Sequence, residues 1–183
     1  MRILDIGSPD SRECLKFYPG ATVRSLDILT GWDVMTKGLP EGPWDILFAN
    51  HFIEHIINPD FFLDECKRIM GPTTYLEIGT PNLAAWFNRL LLPLGYLPHY
   101  LEVSTRYDVG KLRVGPEQVP GGHLHVFTTT ALIALLLRHQ FRITRVWSRA
   151  IGYPLPVGLK QVDQFFGRIP TWAAEVRVRV THP

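Results

Sequence analysis

Cysteine is almost missing from this sequence. Among its 183 residues only Cys14 and Cys66 carry a thiol, far apart and without Cys-x-x-Cys spacing. That argues against a disulfide-stapled scaffold and a structural zinc site, and makes a reducing, cytoplasmic location the expectation. Long apolar runs are also missing. The longest, Ala131 to Leu137, falls far short of the roughly 18 residues that span a bilayer. No leader-like segment precedes Met1-Arg2-Ile3-Leu4-Asp5, which starts directly as a strand, so a soluble protein without a transmembrane segment is expected. Charge of one sign is lacking too: the net charge is +2 with no basic tract, which gives no reason to expect a nucleic-acid partner. Arg177 and Arg179 alternate with valines and read as the solvent face of a strand.

What is there is an alternation of short apolar runs and helical patterns. Ile3, Leu4 and Ile6 form a buried strand that stops at Gly7-Ser8-Pro9. A helix is expected over about Ser11–Phe17, a strand over Ala21–Leu26, a short third strand over Trp32–Met35 and a fourth over Trp44–Ala49. Pro59–Met70 has the best helix signature: Asn58 to cap it, Pro59 at the first position, Asp60 in the first turn, and Phe62, Cys66 and Ile69 on one face. Gly71-Pro72 ends it. Thr73–Ile78 reads as a fifth strand. Leu83–Leu92 reads as a helix, and the stretch that follows, rich in Leu, Pro, Gly and Tyr, as a long irregular insertion. Thr128 to Thr130 begin a helix running to about His139, and Phe141–Ser148 and Ala173–Val180 close the series as strands.

The pattern predicts one α/β domain over residues 1–183, a mostly parallel sheet covered on both faces, with an insertion at about 83–127. Ligands of such sheets bind beyond the carboxyl ends of the strands, where this sequence carries Asp5-Ile6-Gly7, Asp27, Asp33 and Asn50-His51. Gly7 allows a sharp turn and close approach of the backbone to a ligand. The next helix points free amides at a carboxylate. Asp27, roughly 20 residues after the turn, suits a ribose diol, since one carboxylate accepts two hydroxyl hydrogen bonds. Asp33 suits an adenine amine, with Trp32 offering an aromatic face. Together these describe a site for a nucleoside with an amino-acid-like or anionic tail.

With these segments, the chain resembles the class I S-adenosylmethionine (SAM)-dependent methyltransferases of the broad type 11 group. The resemblance is carried by Ile3-Leu4-Asp5-Ile6-Gly7, Ser25-Leu26-Asp27-Ile28, Trp44 to Asn50, Ile53-Glu54-His55-Ile56, Thr80-Pro81-Asn82 and Gly122-His123-Leu124-His125-Val126-Phe127-Thr128. It implies a Rossmann-like open sheet of about seven strands with the last antiparallel, and SAM as cofactor. Asp5 and Gly7 would line the methionine end, Asp27 the ribose, Asp33 and Val34 the adenine, and Asn50 and His51 the methyl group. The family commonly has a helix before the first strand; without a counterpart here, a cofactor lid is expected to be incomplete or supplied by a partner.

A hydroxyl acceptor needs a base, and His51, His55, His123 and His125 are the candidates, His51 and His123 foremost. The expected reaction is methyl transfer to a small molecule, with no metal. Two alternatives stand beside it. Pro9 and Ser11 occupy positions where the family usually has glycine; Pro9 removes an amide donor and Ser11 adds a Cβ, which fits a domain that has lost SAM. His51-Phe52-Ile53-Glu54-His55 also matches the inverted zinc-protease pattern, a hydrolase reading that requires a host helix. The apolar insertion is expected to select the acceptor, with Arg89 and Arg106 as partners for an acidic group; a homodimer through it is another use of that surface.

Overall fold

In the computed structural model, residues 1–112, 119–150 and 157–182 are described, the last segment without the Val157 side chain. The strands are β1 (Arg2–Ile6), β2 (Thr22–Leu26), β3 (Ile46–Asn50), β4 (Tyr75–Pro81), β5 (Arg142–Arg149) and β6 (Glu175–Thr181). The helices are α1 (Arg12–Phe17), α2 (Val34–Lys37), α3 (Pro59–Ile69), α4 (Trp86–Leu91), α5 (Thr129–Arg138) and α6 (Val157–Phe166). The strands form one sheet in the order β2-β1-β3-β4-β6-β5.

β1 pairs in parallel with β2 and β3, and β3 with β4. β6 runs antiparallel to both its neighbours. Against β4, Glu77 meets Arg179 and Asn82 N–H reaches the Ala174 carbonyl, so numbers rise on one strand as they fall on the other. Against β5, Thr144 meets Arg179 while Arg149 meets Glu175, with the same opposition. The sheet thus has six strands among the described residues rather than about seven. The missing one is the expected strand at Trp32–Met35. There Asp33 caps α2, accepting from the Met35 N–H at 2.9 Å, and the local hydrogen bond selects a helical turn. α6 was not foreseen: no element was expected between Ser148 and Ala173.

Contacts divide the chain into two compact units. The first comprises Met1–Thr80, Ile133–Val146 and Arg177–Pro183; the second Pro81–Leu132 and Trp147–Val176. In the first, the register sorts the sheet's side chains onto two chemically unlike faces. Leu4, Ile6, Leu47, Leu76, Ile78, Val178 and Val180 are all buried on one. Fully burying each such side chain is worth about 1.5–3 kcal/mol. The other carries Ile3, Asp5, Phe48, Asn50, Glu77, Arg177 and Arg179, with Cys14 of α1 packed on Ile3, Ile46 and Phe48. Arg177 and Arg179 therefore do not form a solvent face. Arg177 is 5% exposed, its guanidinium 3.9 Å from the centre of the Phe17 ring, and Arg179 is paired with buried Glu77.

α3 forms as its sequence dictates. Asn58 accepts from the Phe61 N–H at 3.0 Å, Pro59 opens the helix, and Phe62, Leu63, Cys66 and Ile69 are buried. Both cysteines are free and buried. Burial pushes the Cys14 thiol up to about 12 and the Cys66 thiol well above its ordinary value.

The second unit is organised by aromatic rings. Trp86 and Trp172 both stack on Phe166, and the Trp86 indole donates to buried Asp163 at 2.9 Å. Within the insertion, the Glu102 carboxylate accepts from the backbone N–H groups of Gly121, Gly122 and His123. Residues 113–118 of the insertion lie outside the described residues. Leu90, Leu92 and Leu94 are exposed. No helix among the described residues is long and apolar enough to cross a membrane.

Candidate active site

The order β2-β1-β3 puts the loop after β1 at the topological switch point, where ligands of open α/β sheets bind. The register does the rest. Ile6 is opposite Leu26 and Asp5 opposite Phe48, so Gly7, one residue beyond the first pair and two beyond the second, stands level with Asp27 on one side and Asn50 on the other. Three of the expected cofactor residues thus share one level of one sheet edge.

Gly7 has φ +80°, and a Cβ there would lie 2.3 Å from the Phe52 ring. A glycine is required on both counts, although the space is taken by Phe52 rather than left open for a ligand. Asp5 is 1% exposed and its Oδ2 has no hydrogen-bond partner. Burial raises its carboxyl from 3.8 to about 6, and the nearby Ser11 and Ser8 hydroxyls offset this in part without closing a bond to Oδ2. A buried carboxylate oxygen without a donor is costly in isolation and suited to a cationic ligand group.

Ser11 has φ 54° and ψ 12°, the left-handed conformation that glycine would adopt. The serine therefore keeps the backbone path of the glycine it replaces. The amides are a different matter. Ser11 N–H donates to Ser8 Oγ at 3.1 Å and Arg12 N–H to Asp10 Oδ1 at 3.1 Å, so the loop's own side chains occupy donors that were expected to face a ligand.

Asp27 and Asp33 each spend one carboxylate oxygen on a cap: Asp27 Oδ1 accepts from Leu29 N–H at 2.7 Å, Asp33 Oδ1 from Met35 N–H. Each retains a second oxygen. The Val34 side chain is 4% exposed and belongs to the core, leaving only its backbone for an adenine. Arg24 and Lys37 lie over the Trp32 ring at 5.4 and 5.5 Å. Asn50 is also tied down: its amide donates to Glu13 at 2.9 Å and accepts from Arg177 at 2.6 Å. It braces β3 rather than offering its side chain to a methyl group.

His51 follows directly, with φ 52°, an uncommon conformation for a residue that is not glycine. Its N–H still reaches the Gly79 carbonyl at 2.8 Å. The chain then turns through Phe52 to His55, which brings Glu54 back beside His51: Nδ1 and Oε1 are 3.3 Å apart. Glu54 is 2% exposed, and its Oε2 accepts from the Thr80 hydroxyl at 3.1 Å. The His-x-x-Glu-His stretch is thus a turn, which removes the helical host that the zinc reading requires.

In the second unit, His123 approaches Glu102 to 3.5 Å, and His125 rests near the Phe127 ring. Arg89 is committed to the Ala84 and Thr171 carbonyls and to the Trp172 face, so it is not a partner for an acidic acceptor group. Reading the sequence for single residues missed the Glu54–Thr80 and Glu13–Asn50–Arg177 links. Their only trace was the Glu-His and Thr-Pro-Asn elements in the right places.

The sheet order and the residues at its edge are those of an open α/β domain with its ligand edge at the exit of β1. The chain belongs to a methyltransferase-domain family, whose model matches residues 1–146. No curated protein matches the sequence. Among solved structures, a SAM-dependent methyltransferase from Archaeoglobus fulgidus is 18% identical with a TM-score of 0.57, over 98% of this chain and 85% of that one. A mitomycin 7-O-methyltransferase is 15% identical with a TM-score of 0.56, over 100% of this chain and 49% of the other. The 1,6-didemethyltoxoflavin-N1-methyltransferase of Burkholderia thailandensis, solved with its substrate and S-adenosylhomocysteine, is 14% identical with a TM-score of 0.53, over 100% and 71%. SAM is the cofactor of this family. The unpartnered Asp5 Oδ2 and the second carboxylate oxygens of Asp27 and Asp33 are the acceptor atoms at this edge whose chemistry fits such a group.

Proposed function

We infer that the chain transfers a methyl group from SAM to a hydroxyl of a small-molecule acceptor, with His51 as base. The observation that carries this reading is the alignment of Gly7 between Asp27 and Asn50, with the unpartnered Asp5 Oδ2 on the same strand and His51 following Asn50 in the chain. When bound, SAM supplies an electrophilic methyl on a sulfonium sulfur. Asp5 offers its carboxylate to the cofactor's ammonium group, Asp27 to the ribose hydroxyls, and Asp33 with the Val34 backbone to the adenine. His51 accepts the proton that the acceptor hydroxyl gives up, leaving an oxygen nucleophile aligned for in-line displacement. His123 with Glu102 is the second candidate for that role.

Choice of acceptor is assigned to the 83–127 insertion, which follows β4 in the chain. Its exposed leucines suit an acceptor with an apolar part, or a second copy of the chain. Small-molecule acceptors are supported by the names of the mitomycin and toxoflavin enzymes. The two buried free thiols fit a cytoplasmic location.

The self-satisfied loop supports a second reading, a domain that keeps the fold without the cofactor: Asp10 holds the Arg12 amide. Titration calorimetry with S-adenosylhomocysteine separates the two. The expected result is one equivalent bound; no heat at millimolar ligand overturns the enzyme reading in favour of the second.

A further inference from the structure

The geometry points to Glu54 as a positioning residue that sets the tautomer of His51, itself held in place by Thr80. This rests on the proposed role of His51 as base. A base needs a bare ring nitrogen facing the acceptor and a proton on the other, and in a neutral imidazole the partner of one nitrogen decides the state of both.

The chain builds such a partner deliberately. Left-handed backbone at His51 stores strain that an ordinary strand exit would avoid. Its effect is to fold Phe52–His55 back so that Glu54 lies beside Nδ1 at 3.3 Å. Glu54 is sealed from solvent, and its two oxygens are differently placed. Oε2 has the Thr80 hydroxyl; Oε1 has no aligned hydrogen bond and faces the His51 ring. A carboxylate can only accept, so a ring nitrogen that satisfies Oε1 must carry its proton on Nδ1. Nε2 is then left with its lone pair. The ring itself is 34% exposed, so an acceptor can reach it, while Glu54 at 2% is sealed from direct contact with an acceptor. Thr80 ends the relay: it sits in β4, and its hydroxyl spends its single proton on Oε2, so Glu54 cannot swing away without leaving a second oxygen bare. His55, on the same turn, presents its N–H to the Phe52 carbonyl.

Nitrogen-detected NMR of the ¹⁵N-histidine-labelled, full 183-residue chain tests this directly, with His51→Gln to assign the ring. The expected result is a wild-type His51 predominantly protonated on Nδ1, a Glu54→Met ring that reverts to mainly Nε2–H, and a Thr80→Val ring with a measurable rise in the Nε2–H fraction. A wild-type ring already in the Nε2–H form overturns the proposal outright. So does an unchanged tautomer in folded Glu54→Met, or in Thr80→Val where Glu54→Met does not fold. Calorimetry with S-adenosylhomocysteine on the same samples is expected to give affinities within a few-fold of one another. Loss of binding in the wild type would sink the methyltransferase reading while leaving the tautomer result to stand or fall separately.

Discussion

Arg179 donates from Nε to Oε1 of Glu77 at 2.6 Å across the β4–β6 pair, and the carboxylate is 1% exposed. The same guanidinium donates to the Tyr18 hydroxyl at 3.1 Å, and burial together with Glu77 pushes that phenol up to about 12. A charge pair this deep is costly to break from one side. Arg179→Met should lower stability by about 3–5 kcal/mol in urea denaturation, because it strands Glu77. The double variant Arg179→Met/Glu77→Leu should recover most of that loss. Additive losses would mean that the two groups do not act as a unit.

Asp5 gives a prediction with a sign. Its folded carboxyl sits at about 6 against an ordinary 3.8, so the native state keeps a proton that the unfolded chain releases. Its stabilising contribution is complete below pH 3.8 and is lost as pH rises through 6. Asp5→Asn should therefore be more stable than wild type at pH 8, by up to about 3 kcal/mol, with the gap closing toward pH 4. The same variant should weaken S-adenosylhomocysteine binding by about 1.5–3 kcal/mol. Thermal melts across pH and calorimetry check both; a variant less stable at pH 8 would contradict the account.

The fold was largely legible because periodicity and capping are local. The Asn58-Pro59-Asp60 start of α3, the parallel strands with their Gly7 and Asp27 exits, and the Thr128 hydroxyl oxygen accepting from the Ala131 N–H all sit within a few residues of their own signal. What sequence could not show was pairing over distance. Arg177 and Arg179 had the spacing of a solvent face, and only the order β4-β6 puts them against Glu77, Phe48 and Phe17. Asn50 looked like a ligand residue because it ends a strand; its amide also donates to Glu13 and accepts from Arg177, from opposite ends of the chain. α6 was missed although Leu159, Val162 and Phe166 recur at helical spacing in the sequence.

Asp27→Ala should weaken S-adenosylhomocysteine binding by about 1.5–3 kcal/mol, as for a lost charged hydrogen-bond partner. It also removes a cap to Leu29, at roughly 1 kcal/mol of stability. Asp27→Asn separates the two effects: the cap oxygen stays and the charge goes. Retained affinity in both variants, measured by calorimetry, would remove Asp27 from the site.

Ser11 already follows a glycine's path, so Ser11→Gly should leave stability within about 1 kcal/mol, strain relief offsetting added chain entropy. Ser11→Val should cost about 1–3 kcal/mol, since a β-branched side chain resists that conformation. Equal melting temperatures for the two variants would show that the loop does not hold this backbone in solution.

The two sealed thiols give this protein a clock of its own. A thiol reagent meets neither sulfur in the closed fold, and burial keeps both from ionising there. Each must wait for a different door. Cys14 lies under a helix of six residues with no side-chain cap, Cys66 in a capped helix of eleven. Labelling should reach Cys14 through local fraying and Cys66 only through deeper opening. The interval between the two reactions would time how the short helix over Ile3 and Phe48 loosens ahead of the longer, capped one, with no probe introduced from outside.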